Sequence, residues 1–311
     1  MSNNTFSRPV ELAGSGLPYD VDPYGYGIQG PSLTMNAVFV AFFAVSGLVH
    51  LAQLFISRRY WWMAVMPIGG AIEVLGWSAR VWSHFNLPSD GFIIQICVLV
   101  LAPTFYSAAI YWAGGVILAD VAPSRSWISG KWFKISFVTA DVVSLVIQGI
   151  GGGMAGSAAG EKPAQLEAGS NIMLAGIIVQ LVIMIVFSAY MAAWTWYARS
   201  EVRKAGTRMQ VMLVALAVSS IAIIIRGGYR TAELDEGFRG ELALNESMIL
   251  LDAIPVLICT YILNIVHPHW FLRVSPAFSA ASSRDSQLTM VPAERGAGAM
   301  AEKDTKVPST V

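Results

Sequence analysis

Seven long apolar stretches constrain the fold more than any other feature of this chain. They cover about residues 33–56, 61–81, 92–119, 133–154, 171–197, 209–230 and 247–266. A helix that crosses the hydrocarbon core of a bilayer needs about 20 mostly apolar residues, and each stretch is of that order. Charged residues make up 13% of the chain, whereas a soluble domain carries about 25%. We therefore expect an all-α, polytopic membrane protein built as a bundle of seven transmembrane helices.

The two ends of the chain differ from its apolar part. Residues 1–31 are polar and rich in Gly and Pro, and they lack the basic and apolar regions of a cleaved signal peptide. Residues 273–311 are rich in Ser, Ala and charged side chains, a composition typical of disorder. We predict an extracellular polar segment at 1–31, a seven-helix membrane domain at 32–272 and a disordered cytosolic tail at 273–311.

The distribution of Lys and Arg predicts the orientation. The first, third and fifth loops hold nine basic residues between them: Arg58, Arg59, Arg125, Lys131, Lys134, Arg199, Arg203, Lys204 and Arg208. The second, fourth and sixth loops hold two, Lys162 and Arg239. Cytosolic loops are enriched in Lys and Arg, so we expect the N-terminus outside and the C-terminus in the cytosol. The Asn-x-Ser/Thr tripeptides at Asn3 and Asn245 would then both be external, which makes them candidates for glycosylation.

Polar side chains inside the apolar stretches are the candidate functional residues. Such groups are costly in a bilayer and usually face the interior of a helix bundle. Glu73 and Arg80 lie two turns apart on one face of the second helix, and the fourth helix repeats that spacing. The full set of candidates for substrate binding or translocation is Glu73, Arg80, Asp141, Gln148, Gln180, Arg226, Arg230, Glu233 and Asp252.

These polar residues have two interpretations. They could pair with one another and serve only to hold helices together. Stability alone rarely requires so many buried charges, because a buried ion pair can often be replaced by apolar packing without loss. We therefore predict that the set lines a polar, partly hydrated cavity. Helix kinks at Pro67, Pro103 and Pro255 would help to shape it.

Several short motifs are spread over all seven predicted helices. They are Pro31-Ser32 with Asn36, Glu73-x-x-Gly76-Trp77-x-x-Arg80, Ala102-Pro103 with Tyr111, Asp141-Val142-Val143-Ser144 with Gln148, Gly176 with Gln180, Arg226-x-x-Tyr229-Arg230-x-x-Glu233 with Asp252, and His267-Pro268. On these motifs the chain resembles the fungal lipid-translocating exporters, which include aminocholesterol-resistance proteins and exporters of sphingoid long-chain bases. The resemblance extends from Tyr26 to Phe271 and departs at Val116, where an Arg is expected.

The resemblance implies export or flipping of amphipathic lipids, such as sphingoid long-chain bases, phospholipids or sterol-like toxic compounds, and resistance to them. A carboxylate of Glu73, Asp141 or Asp252 could hold a cationic head group while the tail stays in lipid. Expected partners are therefore membrane lipids or amphipathic small molecules. A net charge of zero gives no reason to expect nucleic acid. The expected location is the plasma membrane, with an internal membrane such as the vacuole or endoplasmic reticulum as the alternative.

We expect no enzymatic activity, no catalytic residues, no cofactor and no bound metal. The glycine-rich run at 149–153 is not followed by Gly-Lys-Ser/Thr, so it does not match a phosphate-binding loop. We interpret it as a place of close helix packing or a flexible helix exit.

The main alternative function is a seven-helix membrane receptor or lipid sensor, because the predicted helix count and orientation match that class. The third predicted helix lacks an Asp-Arg-Tyr end, however, and the seventh lacks both Asn-Pro-x-x-Tyr and any Lys that could carry retinal.

A zinc-dependent membrane hydrolase is a third possibility. It is disfavoured because the chain has four His, and we expect His50 and His267 to lie at opposite ends of the membrane.

Overall fold

The computed structural model describes residues 31–85, 90–157, 163–236 and 250–272, and every regular element in these ranges is helical. The helices are α1 Leu33–Ile56, α2 Val65–Phe85, α3 Asp90–Val121, α4 Gly130–Ser157, α5 Pro163–Tyr197, α6 Arg199–Lys204, α7 Thr207–Glu236, α8 Leu250–Ile265 and α9 Pro268–Phe271. Short 3₁₀ turns cover Arg58–Ala64 and Pro123–Arg125. The all-α prediction is thus confirmed. The two sequons, residues 1–30 and residues 273–311 lie outside the described ranges.

The seven predicted apolar stretches fall on α1, α2, α3, α4, α5, α7 and α8, although the second begins in the 3₁₀ turn before α2 and residues 247–249 of the seventh lie outside the described ranges. Five of these helices are long and apolar enough to cross a membrane. The five are α1, α3, α4, α5 and α7. Helix α2 is not among them, and Glu73 and Arg80 both lower its hydropathy. Helix α8 is apolar but has 16 described residues, or about 24 Å, against a hydrocarbon core of about 30 Å. The described residues therefore support an integral membrane protein with five candidate spans.

The burial pattern of α1 is inverted relative to a helix of a soluble protein. Its buried positions include Asn36, Ser46, His50 and Gln53. Its outward positions are large apolar residues, among which Leu48 is 65% exposed. Helix α4 shows the same inversion, with a carboxylate and an amide buried and Val and Ile outward. An apolar outer surface around a polar interior is the arrangement that lipid requires.

Several glycines let neighbouring helices pack backbone against backbone. A Cβ atom built at Gly151 in α4 would lie 2.4 Å from the backbone nitrogen of Met173 and 2.6 Å from the carbonyl oxygen of Gly169, both in α5. A Cβ at Gly153 would meet nothing within 4 Å. The glycine-rich run therefore lies inside α4 and serves close helix packing at Gly151, in agreement with the first interpretation from sequence.

Contacts between helix ends define two ends of the bundle. His84, near the end of α2, hydrogen-bonds the carbonyl of Pro31 at 2.8 Å, just before α1 begins. We call this the Pro31 end: α1, α3, α5 and α8 begin there, and α2, α4 and α7 end there. The opposite end, where α1 finishes, is called the Ser57 end. The orientation predicted from sequence would make the Pro31 end external and the Ser57 end cytosolic.

Candidate functional site

Four of the nine candidate residues form an ion-pair cluster at the Pro31 end of α7 and α8. Arg226 and Arg230, one turn apart on α7, both contact Asp252 in the first turn of α8. The Nε atom of Arg226 lies 2.9 Å from Asp252 Oδ1 as an ion pair without hydrogen-bond geometry, and Nε of Arg230 donates to the same oxygen at 3.0 Å. Arg230 also contacts Asp252 Oδ2 through Nη2 and donates from Nη1 to Glu233 at 2.8 Å. This stripe of charges on α7 is therefore internally paired.

Arg226 also reaches α3 at a point that proline has left without a helical hydrogen bond. Pro103 has no N–H, so the carbonyl of Leu99, four residues earlier, cannot receive the usual bond from position 103. The Nη2 atom of Arg226 donates to that carbonyl. A side chain from a neighbouring helix thus satisfies the freed backbone group, as is required where no water is present.

Arg80 joins three helices at the same end of the bundle. Its Nε donates to Oδ1 of Asn36 in α1 at 3.1 Å, and its Nη1 donates to Oε1 of Gln95 in α3 at 3.1 Å. Its positive charge also acts on Glu233 and Asp252. Arg80 therefore belongs to the same charge cluster, and two of its hydrogen bonds run to amides.

Glu73 lies deeper in the bundle than Arg80 and is held differently. Its side chain is 2% exposed, and Oε2 accepts a hydrogen bond from Nε1 of Trp77, one turn along α2, at 3.0 Å. Within the described residues, Oε1 has no hydrogen-bond partner and no basic group forms an ion pair with the carboxylate. The Trp77 ring packs against Phe39 with ring centroids 4.7 Å apart, so the carboxylate lies beside an aromatic wall. Glu73 is thus a buried acid that interacts with Arg226 electrostatically but forms no direct ion pair with it.

Asp141 is a second buried acid of this kind, on α4. Its side chain is 1% exposed, the hydroxyl of Tyr111 lies 3.5 Å from Oδ1, and Oδ2 has no hydrogen-bond partner among the described residues. A chain of amides follows beside it. Gln148 Nε2 donates to Gln180 Oε1 at 3.0 Å, and Gln180 Nε2 donates to the hydroxyl of Thr104 in α3 at 3.0 Å. In the described part of the chain, Asp141 therefore has neutral polar neighbours and forms no ion pair.

A small cavity lies between the charge cluster and the amide chain. Its volume is about 20 Å³, which is room for about one water, and Gln180, Arg226 and Pro103 line it. The nine candidate residues therefore form two groups, and one member of each, Arg226 and Gln180, lines this cavity. The first is Glu73, Arg80, Arg226, Arg230, Glu233 and Asp252; the second is Asp141, Gln148 and Gln180. Where the sequence predicts a polar, partly hydrated cavity, the described residues form a closely packed polar network with room for about one water.

Sequence reasoning assigned no site role to several residues that contribute to this network. Asn36 and Gln95 hold Arg80, and Thr104 ends the amide chain. Asn36 stands in one of the sequence motifs and Gln95 is a polar residue inside an apolar stretch, so both carry a signal in the sequence. Thr104 carried no such signal, because a hydroxyl in a helix usually bonds its own backbone.

A separate polar group near the Ser57 end joins α1 to α8. Ser46 contacts Thr260, His50 Nε2 lies 3.1 Å from the Thr260 carbonyl oxygen, and Gln53 donates to the Asn264 carbonyl at 2.8 Å. These bonds run directly between two helices, so the group is best explained as interhelical hydrogen bonding.

The predicted separation of the histidines is wrong. His50 and His267 have ring centroids 6.5 Å apart at the same end of the bundle, because α1 and α8 pack side by side and both finish there. His84 is bonded to Pro31 at the other end. The described residues contain no group of three or more His, Cys, Asp or Glu that could hold a metal ion.

Comparison with known proteins gives the family. The model of the family described as "RTA1 like protein" matches residues 66–275, which is more than half of the chain. The chain belongs to the RTA1-like family. It is similar to the sphingoid long-chain base transporter RSB1 of Saccharomyces cerevisiae, strain Lalvin EC1118, with 27% identity over 281 residues that cover 78% of this chain and 73% of that protein.

Two other yeast proteins are also similar to the chain. Protein RTM1 of Saccharomyces cerevisiae is 30% identical over 216 residues, covering 67% of this chain and 68% of RTM1. Protein RTA1 of Saccharomyces cerevisiae, strain ATCC 204508 / S288c, is 26% identical over 268 residues, covering 76% and 83%. No solved structure matches the chain. The resemblance found on the sequence motifs is therefore confirmed at the level of the family.

Proposed function

We propose that this protein moves amphipathic lipids with a cationic head group, such as sphingoid long-chain bases, across the membrane. One observation carries the proposal: Glu73 and Asp141 are buried in a membrane domain and, among the described residues, neither carboxylate is in an ion pair. The name of the relative RSB1, a sphingoid long-chain base transporter, supports the same substrate class.

The charge balance of the candidate site agrees with a cationic substrate. Its acids are Glu73, Asp141, Glu233 and Asp252, and its bases are Arg80, Arg226 and Arg230. With all seven ionised, four acids and three bases leave one net negative charge. An uncompensated charge at this depth costs several kcal/mol or more, so a single ammonium group would be a favourable counter-ion.

Passage of a head group requires the helices to move, because the central cavity holds only about 20 Å³. Helix α3 is the element best suited to this movement. Pro103 interrupts its hydrogen-bond ladder beside the cavity, and the contact from Arg226 to the Leu99 carbonyl can form or break without unwinding the helix. The apolar tail would stay in lipid along the outer surface while the head group crosses.

The proposal includes the topology and the setting of the protein. Seven transmembrane helices, an external N-terminus and a cytosolic tail fit the bias of basic residues among the loops. The polar segment 1–31 would lie outside the cell and the segment 273–311 would form a disordered cytosolic tail. We propose the plasma membrane as the site of action and resistance to toxic amphiphiles as the physiological result, without enzymatic turnover.

Reconstitution into liposomes tests the function directly. Purified protein is incorporated into liposomes that contain a fluorescent sphingoid long-chain base, a fluorescent phospholipid or a fluorescent sterol analogue. A quencher that cannot cross the membrane is added outside, and the fraction of lipid fluorescence that it quenches over time reports translocation. We expect the long-chain base to move fastest, and the double variant Glu73→Gln, Asp141→Asn to be inactive for it. Protein-dependent movement of none of the three lipids would refute the proposal, and ligand-dependent activation of a G protein would favour the receptor alternative.

A further inference from the structure

A second site, away from the polar centre, lies on the outer surface between α5 and α7. It is a groove of about 580 Å³ near the Ser57 end of the bundle. Its floor is apolar and buried, with Phe187 and Met191 from α5 and Leu216 from α7. Its rim is open to the lipid phase, since Val214 is 62% exposed and Trp196 is 73% exposed. The groove is therefore reached sideways from the bilayer.

The length of the groove matches one leaflet. On α5 the lining residues extend from Phe187 to Trp196, a rise of about 14 Å at 1.5 Å per residue. Half of the hydrocarbon core of a bilayer is about 15 Å. An acyl chain that lies in the groove would therefore run from the middle of the bilayer to its surface, with its head group at the Ser57 end.

Two arginines stand at the head-group end of the groove. Arg199 and Arg203, in α6, complete its lining. Arg199 lies over the ring of Trp196, with its guanidinium carbon 5.3 Å from the ring centroid, and donates to the Trp196 carbonyl at 3.3 Å. Within the described residues, neither arginine lies within 4.0 Å of a carboxylate, whereas Arg125 in the nearby loop pairs with Glu201 at 3.3 Å. The groove thus joins an apolar channel to two guanidinium groups that have no acidic partner in the described part of the chain.

We propose that this groove binds a phospholipid with an anionic head group. The acyl chain lies on Phe187, Met191 and Leu216, and the phosphate lies between the guanidinium groups of Arg199 and Arg203, which form strong charge-assisted hydrogen bonds to phosphate oxygens. A cationic long-chain base would be repelled by the same arginines, so this site differs in substrate class from the polar centre. The proposal goes beyond the transport function and does not depend on it.

Lipid binding to the full-length protein in nanodiscs tests the proposal. Phosphatidylserine or phosphatidylcholine with brominated acyl chains is titrated into the nanodiscs, and quenching of tryptophan fluorescence is recorded. We expect at least tenfold tighter binding of phosphatidylserine. The double variant Arg199→Gln, Arg203→Gln should lose this preference, whereas Arg208→Gln, an exposed arginine at the same end but outside the groove, should retain it. Ala217→Phe, which fills the groove, should weaken binding of both lipids, and Val218→Phe on the same helix serves as its control.

The outcomes separate specific binding from general attraction of acidic lipids to a basic surface. Equal affinity for the two lipids in the wild-type protein would overturn the proposal. An equal loss of preference in Arg208→Gln would overturn it too, because the effect would then follow surface charge and not the groove. Circular dichroism and elution as a single species confirm that each variant is folded. Export of long-chain base by the double arginine variant is measured in parallel, so failure of this site is distinguishable from failure of the proposed function.

Discussion

Replacement of single carboxylates by amides should separate the transport site from the structural ion pairs. Asp252→Asn removes the negative charge that Arg226 and Arg230 share, and it leaves two buried cations with one partner fewer. Breaking a buried pair in this way costs about 3–5 kcal/mol. For a domain of this size 1 kcal/mol corresponds to roughly 2–4 °C in melting temperature, so we expect a loss on the order of 10 °C.

Glu73→Gln and Asp141→Asn should behave in the opposite way. Neither carboxylate is in an ion pair among the described residues, so neither change removes a direct partner from a buried cation. The amide of Gln at position 73 can still accept the hydrogen bond from Trp77. We expect a cost of about 1 kcal/mol or less, which is the net value of one hydrogen bond. Long-chain base export per folded molecule should nevertheless fall to background.

Two measurements on each of the three variants decide between these roles. Melting temperature is measured in detergent by fluorescence, and export is measured in liposomes and normalised to the amount of folded protein. Full export by stable Glu73→Gln and Asp141→Asn would refute the carboxylate-site model. A drop of about 10 °C in either variant would show instead that the carboxylate is a structural partner of a cation.

Three further predictions concern packing, topology and the tail. Gly151→Leu should reduce the yield of folded protein strongly, because its Cβ would lie 2.4 Å from the backbone of Met173, whereas Gly153→Leu should be tolerated; size-exclusion profiles of the extracted proteins check this. An epitope tag at the C-terminus should be detected by antibody only in permeabilised cells, and detection in intact cells would reverse the orientation. Removal of residues after Ala280 should leave a monodisperse membrane protein, and aggregation on extraction would show that the tail packs on the bundle.

The helices and the polar interior could be predicted from the sequence because both follow from local composition. The stretch predicted at 33–56 is Leu33–Ile56 in the structure, since a polar N-cap at Ser32 and the polar loop after it bound the apolar run. The fifth apolar stretch begins at 171, eight residues after α5 itself begins at Pro163, because the first turns of the helix carry polar residues such as Gln165 and Glu167. Hydropathy reports the part of a helix inside lipid and not its projection beyond it.

The pairing of the charges could not be predicted, because it depends on how helices far apart in sequence approach one another. Sequence spacing placed Arg226 and Arg230 on one face of α7 but could not show that both meet Asp252. The contact from Arg226 to the Leu99 carbonyl needs both the backbone hydrogen bond that Pro103 cannot donate and the packing of α7 on α3. The same limit explains the error about His50 and His267, whose proximity follows from helix packing alone.

The charge count of the candidate site leads to a prediction about the energy source. One net negative charge must be compensated at this depth, either by a proton on Glu73 or Asp141 or by the cationic head group of the substrate. If the proton and the substrate head group bind alternately at the same carboxylates, each monovalent cation that crosses the membrane is exchanged for one proton. No net charge then crosses the membrane. Export from liposomes should then accelerate when the destination side is made acidic, and a potassium diffusion potential of either sign should leave the rate unchanged. Transport that follows the membrane potential and ignores the pH gradient would show that the head group crosses as an uncompensated cation, which contradicts proton exchange at these two acids.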